Sequence, residues 1–150
     1  MTGGRVPGAH LARRFATSLS PAPPDIDDVV WAGAFLAVGE RDLWERMSAA
    51  DRRHAITVAR RFVAGRPDAT HAEVAGALLH DVGKVDAGLG TFGRVVATVV
   101  GPRTRRFRRY HDHEAIGARL AAGAGADPVT VALIEGHGPA AADLRAADDV

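Results

Sequence analysis

Residues 70–84, THAEVAGALLHDVGK, read as a buried helix that ends on a polar doublet. Val74, Ala77, Leu78 and Asp81 recur at the i, i+3, i+4, i+7 spacing of a single helix face. Asp68 or Thr70 supplies the N-cap, Glu73 falls in or near the first turn, and Gly83 supplies a stop. His80 and Asp81 then sit side by side at the C-terminal end of an otherwise apolar helix, about 100° apart around its axis. Adjacent residues so placed can flank one inward direction. An imidazole and a carboxylate buried together are costly unless they are paired or hold a metal.

Working outward, Ser48 caps a preceding helix that carries Asp51 in its first turn and runs to about residue 63. Its stripe is Ala55, Val58, Ala59 and Phe62, and His54 lies on the same side, facing the core. Apolar turns cover roughly 27–47, weakened at Gly33 and Gly39. On the other side, a helix over about 90–100 groups Phe92, Val95, Val96 and Val99. Residues 102–109 read as a loop or frayed end. A helix over 111–122 aligns His113, Ile116, Gly117 and Leu120. Asp127-Pro128 has the form of an N-cap followed by proline at the first helical position, opening a helix to about Gly136. A last helix starts near Pro139 and runs to the end. Strand signals are nearly absent, so the expected fold is all-α: one helical domain over 25–150, with PAPPD (21–25) closing a disordered N-terminal tail over 1–24.

A chain of 150 residues is long enough for one domain with a real core and short for two. Nearly half of it (47%) is apolar and 25% is charged, an ordinary globular profile. The net charge of +1 offers no global field for nucleic acid, and no DNA partner is expected. Without cysteine, disulfides, thiolate zinc sites and cysteine nucleophiles are excluded. The longest apolar stretch, 29–39, has eleven residues against the roughly 20 of a bilayer span. The arginines of the tail lack the apolar region of a secretory signal, so a cytoplasmic location is expected.

Any one histidine on an apolar face is ordinarily a hydrogen-bonded core residue. The joint arrangement of His54 with the doublet is what points to an ion. Imidazole nitrogen with carboxylate oxygen suits Mn, Fe, Co, Ni or Zn and, less well, Mg.

The stretch ALLHDVGK (77–84), with His54 on the preceding helix, resembles the signature of the HD superfamily, whose members are helical bundles and in many cases metal-dependent phosphohydrolases. The resemblance covers about two-thirds of the chain, from about Leu43 onward. It continues in HEAIGARL (113–120), in His137 of LIEGHG, and in a late aspartate for which Asp148 is the best match and Asp149 the other register. It implies an HD-type bundle in which His54, His80, Asp81 and Asp148 hold one divalent ion. It also implies that Asp81 could bridge to a second ion held by His113 and His137. The expected substrate is a small-molecule phosphomonoester, cyclic nucleotide or nucleotide-like compound. Asp81 and Lys84 then carry the catalytic roles, Lys84 as a cation for a phosphate oxygen or leaving group. Lys84 is the sole lysine among 19 basic residues, and its plainer role is a favourable charge at a helix C-terminus. The alternative is a non-catalytic HD module that binds a nucleotide or protein partner.

Departures from the family narrow the activity. GPAAADLR after His137 is not the Gly-Tyr-Pro continuation of the cyclic-di-GMP phosphodiesterases, and VGKVD after the doublet lacks the Glu-Asp pair of the guanosine-tetraphosphate hydrolases. Residues 102–110 (PRTRRFRRY) pack five arginines and two aromatics. Such a run could meet RNA or a membrane surface, or steer a phosphate, although charge runs are usually solvated. His111, His71 and His10 are not candidate ligands, and Trp31 and Trp44 read as core anchors.

Overall fold

The computed structural model describes residues 20–87 and 102–150, with side chains for 20–85 and 113–150. The expected helix over 90–100 lies outside the described residues. So do the side chains of 102–112, on which the expected RNA or membrane contact falls. Among the described residues every regular element is a helix, and no helix is long and apolar enough to cross a membrane. The all-α fold read from the sequence is therefore the fold observed.

The helix starts follow from local chemistry. In α1 (Ile26–Gly33), the Asp25 carboxylate accepts from the Asp27 amide; α2 (Val38–Arg46) follows after a short turn. In α3 (Ala49–Gly65), Ser48 Oγ accepts from the Asp51 amide at 3.1 Å. Helix α4 (His71–Leu79) starts on a full capping box, in which Thr70 Oγ1 accepts from the Glu73 amide while the Glu73 carboxylate accepts from the Thr70 amide. Of the two expected caps, Thr70 is the one used. A one-turn α5 (Lys84–Ala87) leads on, and α6 (Pro102–Gly123), α7 (Pro128–Ile134) and α8 (Ala141–Asp148) complete the described elements. Asp127 caps α7, with Pro128 at its first position.

Two expectations are corrected. Residues 102–109 are helical, the first turns of α6, and not a loop. Pro102 occupies a first helical position, where its missing N–H costs nothing, and arginine is a good helix former without any apolar period. Gly83 does not stop α4 in a left-handed cap, because positive φ among the described residues is confined to Gly125, Gly136 and Gly138. It is needed for a close approach instead. A Cβ there would run into the His113 carbonyl oxygen and lie 3.0 Å from the Gly117 amide nitrogen. Helix α6 thus crosses the turn after α4 backbone to backbone, which sets His113 beside that turn.

Helix α4 is the axis of the molecule, buried from Glu73 to Leu79 and packed between α3 and α7. Helix α8 lies along α3, and α6 lies along α7. Phe62, Leu78, Leu79, Ile134 and Val58 are the largest fully buried apolar side chains, and each removes about 1.5–3 kcal/mol worth of hydrocarbon from water. Trp44 is buried, as a core anchor should be, while Trp31 packs at the edge of the core. Thr130, fully buried on α7, donates to the Ala72 carbonyl at 2.7 Å and ties α7 to α4 without leaving its hydroxyl unpaired. Arg66, between α3 and α4, donates to Glu73 (2.7 Å) and to Asp143 on α8 (3.0 Å). At the other end of α3, Arg53 donates to the carbonyls of Ser20 and Ala22, and Pro24 is buried. Residues 20–24 are thus packed on the domain in the stretch expected to be tail.

Candidate metal centre

Three helices deliver side chains to one spot. His54 projects from the middle of α3. His80 and Asp81 come from the turn that ends α4, and Asp148 is the last residue of α8. His54 Nε2 donates to Asp148 Oδ1 at 3.0 Å and lies 3.9 Å from Asp81 Oδ2. His80 Nε2 is 3.5 Å from both Asp81 Oδ2 and Asp148 Oδ1.

The end of α4 determines how His80 presents its ring. The last carbonyls of a helix lack intrahelical partners. His80 Nδ1 donates to one of them, Ala77 O, at 2.7 Å. A carbonyl only accepts, so the proton is on Nδ1, and in the neutral ring the lone pair is on Nε2. That nitrogen is buried, makes no well-formed hydrogen bond, and faces two carboxylates and a second imidazole. A lone pair aimed at carboxylate oxygens is repulsive. A cation between them, a proton or a metal ion, removes the repulsion.

The charge states follow from the same contacts. Burial alone would lower the His80 pKa, but Asp148 and Asp81 outweigh it and the ring is more basic than usual. The hydrogen bond from His54, with the His80 ring close by, holds the Asp148 carboxyl well below the usual carboxylate range. Burial would raise Asp81, and His80, Lys84 and His54 together reverse this and lower it. Lys84 Nζ donates to Asp81 Oδ2 at 2.9 Å. That carboxylate raises the Lys84 pKa against the opposing effect of burial. Both carboxylates are thus ionised near neutral pH, as metal ligands must be.

The ligand atoms of His54, His80 and Asp81 all lie within 4.8 Å of one another, which makes them a group able to hold one ion. Atoms about 2.0–2.2 Å from a shared ion are separated by roughly 3–4 Å, close to the spacings found. The tautomer set by Ala77 and the unpartnered Nε2 fit the same use, since a ligating histidine typically donates its other N–H to a carbonyl or carboxylate. Asp148 adjoins both imidazoles without joining that group of three.

These residues line a cavity of about 250 Å³, together with Lys84 and His113. Leu133, Ile134, Ala141 and Leu144 form its apolar wall. Of the expected ligands, His54, His80, Asp81, Asp148 and His113 all reach this cavity. His137 does not line it; it is exposed, just beyond the turn that ends α7. Asp149 is exposed at the C-cap of α8, so Asp148 is the register that faces the site. Two lining residues, Glu114 and Arg145, were not singled out from sequence. Arg145 lies three residues before Asp148, a spacing that puts both on one helix face. Glu114 follows His113 directly and carries no comparable signal.

Comparison of the chain with protein-family models, curated proteins and solved structures found no match.

Proposed function

We propose that this protein is a metal-dependent phosphohydrolase of the HD type, binding one divalent transition ion through His54, His80 and Asp81 with Asp148 beside them. The observation that carries this reading is the His80 ring, whose Nδ1 is committed to Ala77 O while its buried Nε2 faces two carboxylates. When bound, such an ion lowers the pKa of water and polarises a phosphoryl oxygen. The chain's own residues do the rest. Lys84 fixes the Asp81 carboxylate through one N–H and keeps two more for a phosphate oxygen. Asp148 orients the two imidazoles. The apolar wall from Leu133 to Leu144 limits water around the reacting group. A small-molecule phosphoester is the substrate class that these features support.

Metal analysis of the purified protein and turnover across a phosphoester panel test the proposal together. Stoichiometric metal and measurable turnover are expected, both lost in His80→Ala and in Asp81→Ala. Unchanged metal content and turnover in both variants would overturn it. Bound metal without turnover would favour a non-catalytic module that binds a nucleotide or protein partner.

A further inference from the structure

Two cations line the cavity among the described residues, and they are not equivalent. Lys84 has its charge balanced by the Asp81 carboxylate. Arg145 is exposed on α8, one turn before Asp148. Its guanidinium donates through Nη2 to the Gly136 carbonyl at 3.2 Å, which steadies the side chain without neutralising it. No carboxylate among the described residues forms an ion pair with it, whereas Arg60 pairs with Asp28 and Arg66 with both Glu73 and Asp143. An arginine anchored by a neutral carbonyl, on the wall of a cavity that gathers candidate metal ligands, keeps its charge and most of its five N–H groups for something else.

We infer that Arg145 is the anion receptor of this cavity, gripping two oxygens of a phosphomonoester dianion presented to the His54–His80–Asp81 group. The planar guanidinium matches a pair of phosphate oxygens, and a dianion offers that pair while a third oxygen stays turned toward the metal ligands. A diester, with one negative charge and two esterified oxygens, offers less. Arg145 therefore selects monoesters over diesters. The choice of substrate rests on the hydrolase reading; the binding of phosphate does not.

The test uses the full chain, metal-free and loaded with Mn²⁺, titrated with inorganic phosphate by calorimetry. The wild type is compared with Arg145→Gln, which retains an N–H for Gly136 and removes the charge, and with Arg145→Lys. Phosphate affinity is expected to fall roughly ten- to a hundredfold in Arg145→Gln and less in Arg145→Lys, the size of a lost charged hydrogen bond. Metal content and thermal melting should stay at wild-type values. With p-nitrophenyl phosphate, Arg145→Gln should raise KM much more than it lowers kcat. With bis(p-nitrophenyl) phosphate, KM should barely change. Equal phosphate affinity in the wild type and Arg145→Gln overturns the inference, as does a wild type that does not bind millimolar phosphate. Loss of metal in Arg145→Gln also overturns it, since Arg145 would then act through Asp148. A wild type that binds phosphate through Arg145 but turns over no ester supports the receptor while rejecting the hydrolase.

Discussion

Asp148 Oδ1 accepts from His54 Nε2 at 3.0 Å, closing a contact between residues 94 positions apart on α3 and α8. The same oxygen is 3.5 Å from His80 Nε2, so one carboxylate braces both imidazoles. Asp148→Asn keeps the shape and removes the charge. Metal affinity should fall roughly 10- to 100-fold, the usual cost of losing a partner that orients ligands. Asp149→Asn, at the exposed cap, should leave it unchanged. Metal titration of the two variants decides between the registers, and equal affinities would exclude Asp148 from the site.

The metal-free protein should show a pH dependence set by the same cluster. The His80 pKa is raised above 6.5 by Asp148 and Asp81 against burial, so its contribution is complete below about 6.5 and is lost as pH rises through the folded value. The Asp148 and Asp81 pKa values are lowered below 3.8, so their contributions are present above 3.8 and are lost as pH falls through the folded values. Stability without metal should therefore be greatest between about pH 4 and 6.5 and decline on the alkaline side. With metal the alkaline decline should reverse, because the ion competes with the proton on His80. Thermal melting from pH 4 to 9, with and without Mn²⁺, measures both. An alkaline slope that persists in His80→Gln would place its origin elsewhere.

How much of this was legible depended on whether the signal was local. His54, His80 and Asp81 could be found because they interrupt apolar stripes at helical spacing, and the capping signals at Ser48, Thr70 and Asp127-Pro128 are set by neighbouring residues alone. The register of Asp148 depended on where α8 begins. It begins at Ala141, two residues past Pro139, with no side-chain cap to mark the start. Residues 102–109 read as a loop or frayed end because five arginines hide a helix from any test based on apolar period. Gly83 reads as a helix stop because its real constraint comes from His113, on a helix 30 residues away in sequence. Arg145 was missed because a single surface arginine looks like any other until the cavity is seen.

The crossing at Gly83 makes a sharp stability prediction. Gly83→Ala places a methyl against the His113 carbonyl, and backbone cannot rotate aside as a side chain can. The cost should be about 1–3 kcal/mol, as for overpacked cores. Because α6 must move away from the turn, His113 should leave the cavity. Gly65→Ala, where an added Cβ meets nothing within 4 Å, should be neutral or slightly stabilising. Denaturant unfolding of both variants checks the pair, and a Gly83→Ala protein as stable as wild type would mean that α6 does not pack this closely.

Arg66 does not line the cavity yet should govern it. Its guanidinium joins Glu73 in the capping box of α4 to Asp143 in the first turn of α8, at 2.7 and 3.0 Å. Those helices carry His80 with Asp81, and Asp148, at their C-terminal ends, so the clamp sets how far Asp148 reaches. Arg66→Met should retain the helices, because α8 still buries Leu144 and Ala147, and should lower both the melting temperature and the metal affinity. The loss of affinity should be smaller than in Asp148→Asn, because the ligands themselves remain. Arg66→Lys should recover only part of it, since one ammonium cannot reproduce a fork directed at two carboxylates. Arg60→Met, which breaks the exposed pair with Asp28 on α1, is the control that should leave metal affinity alone. If Arg66→Met binds metal as tightly as wild type, the position of Asp148 is set by the packing of α8 on α3 alone.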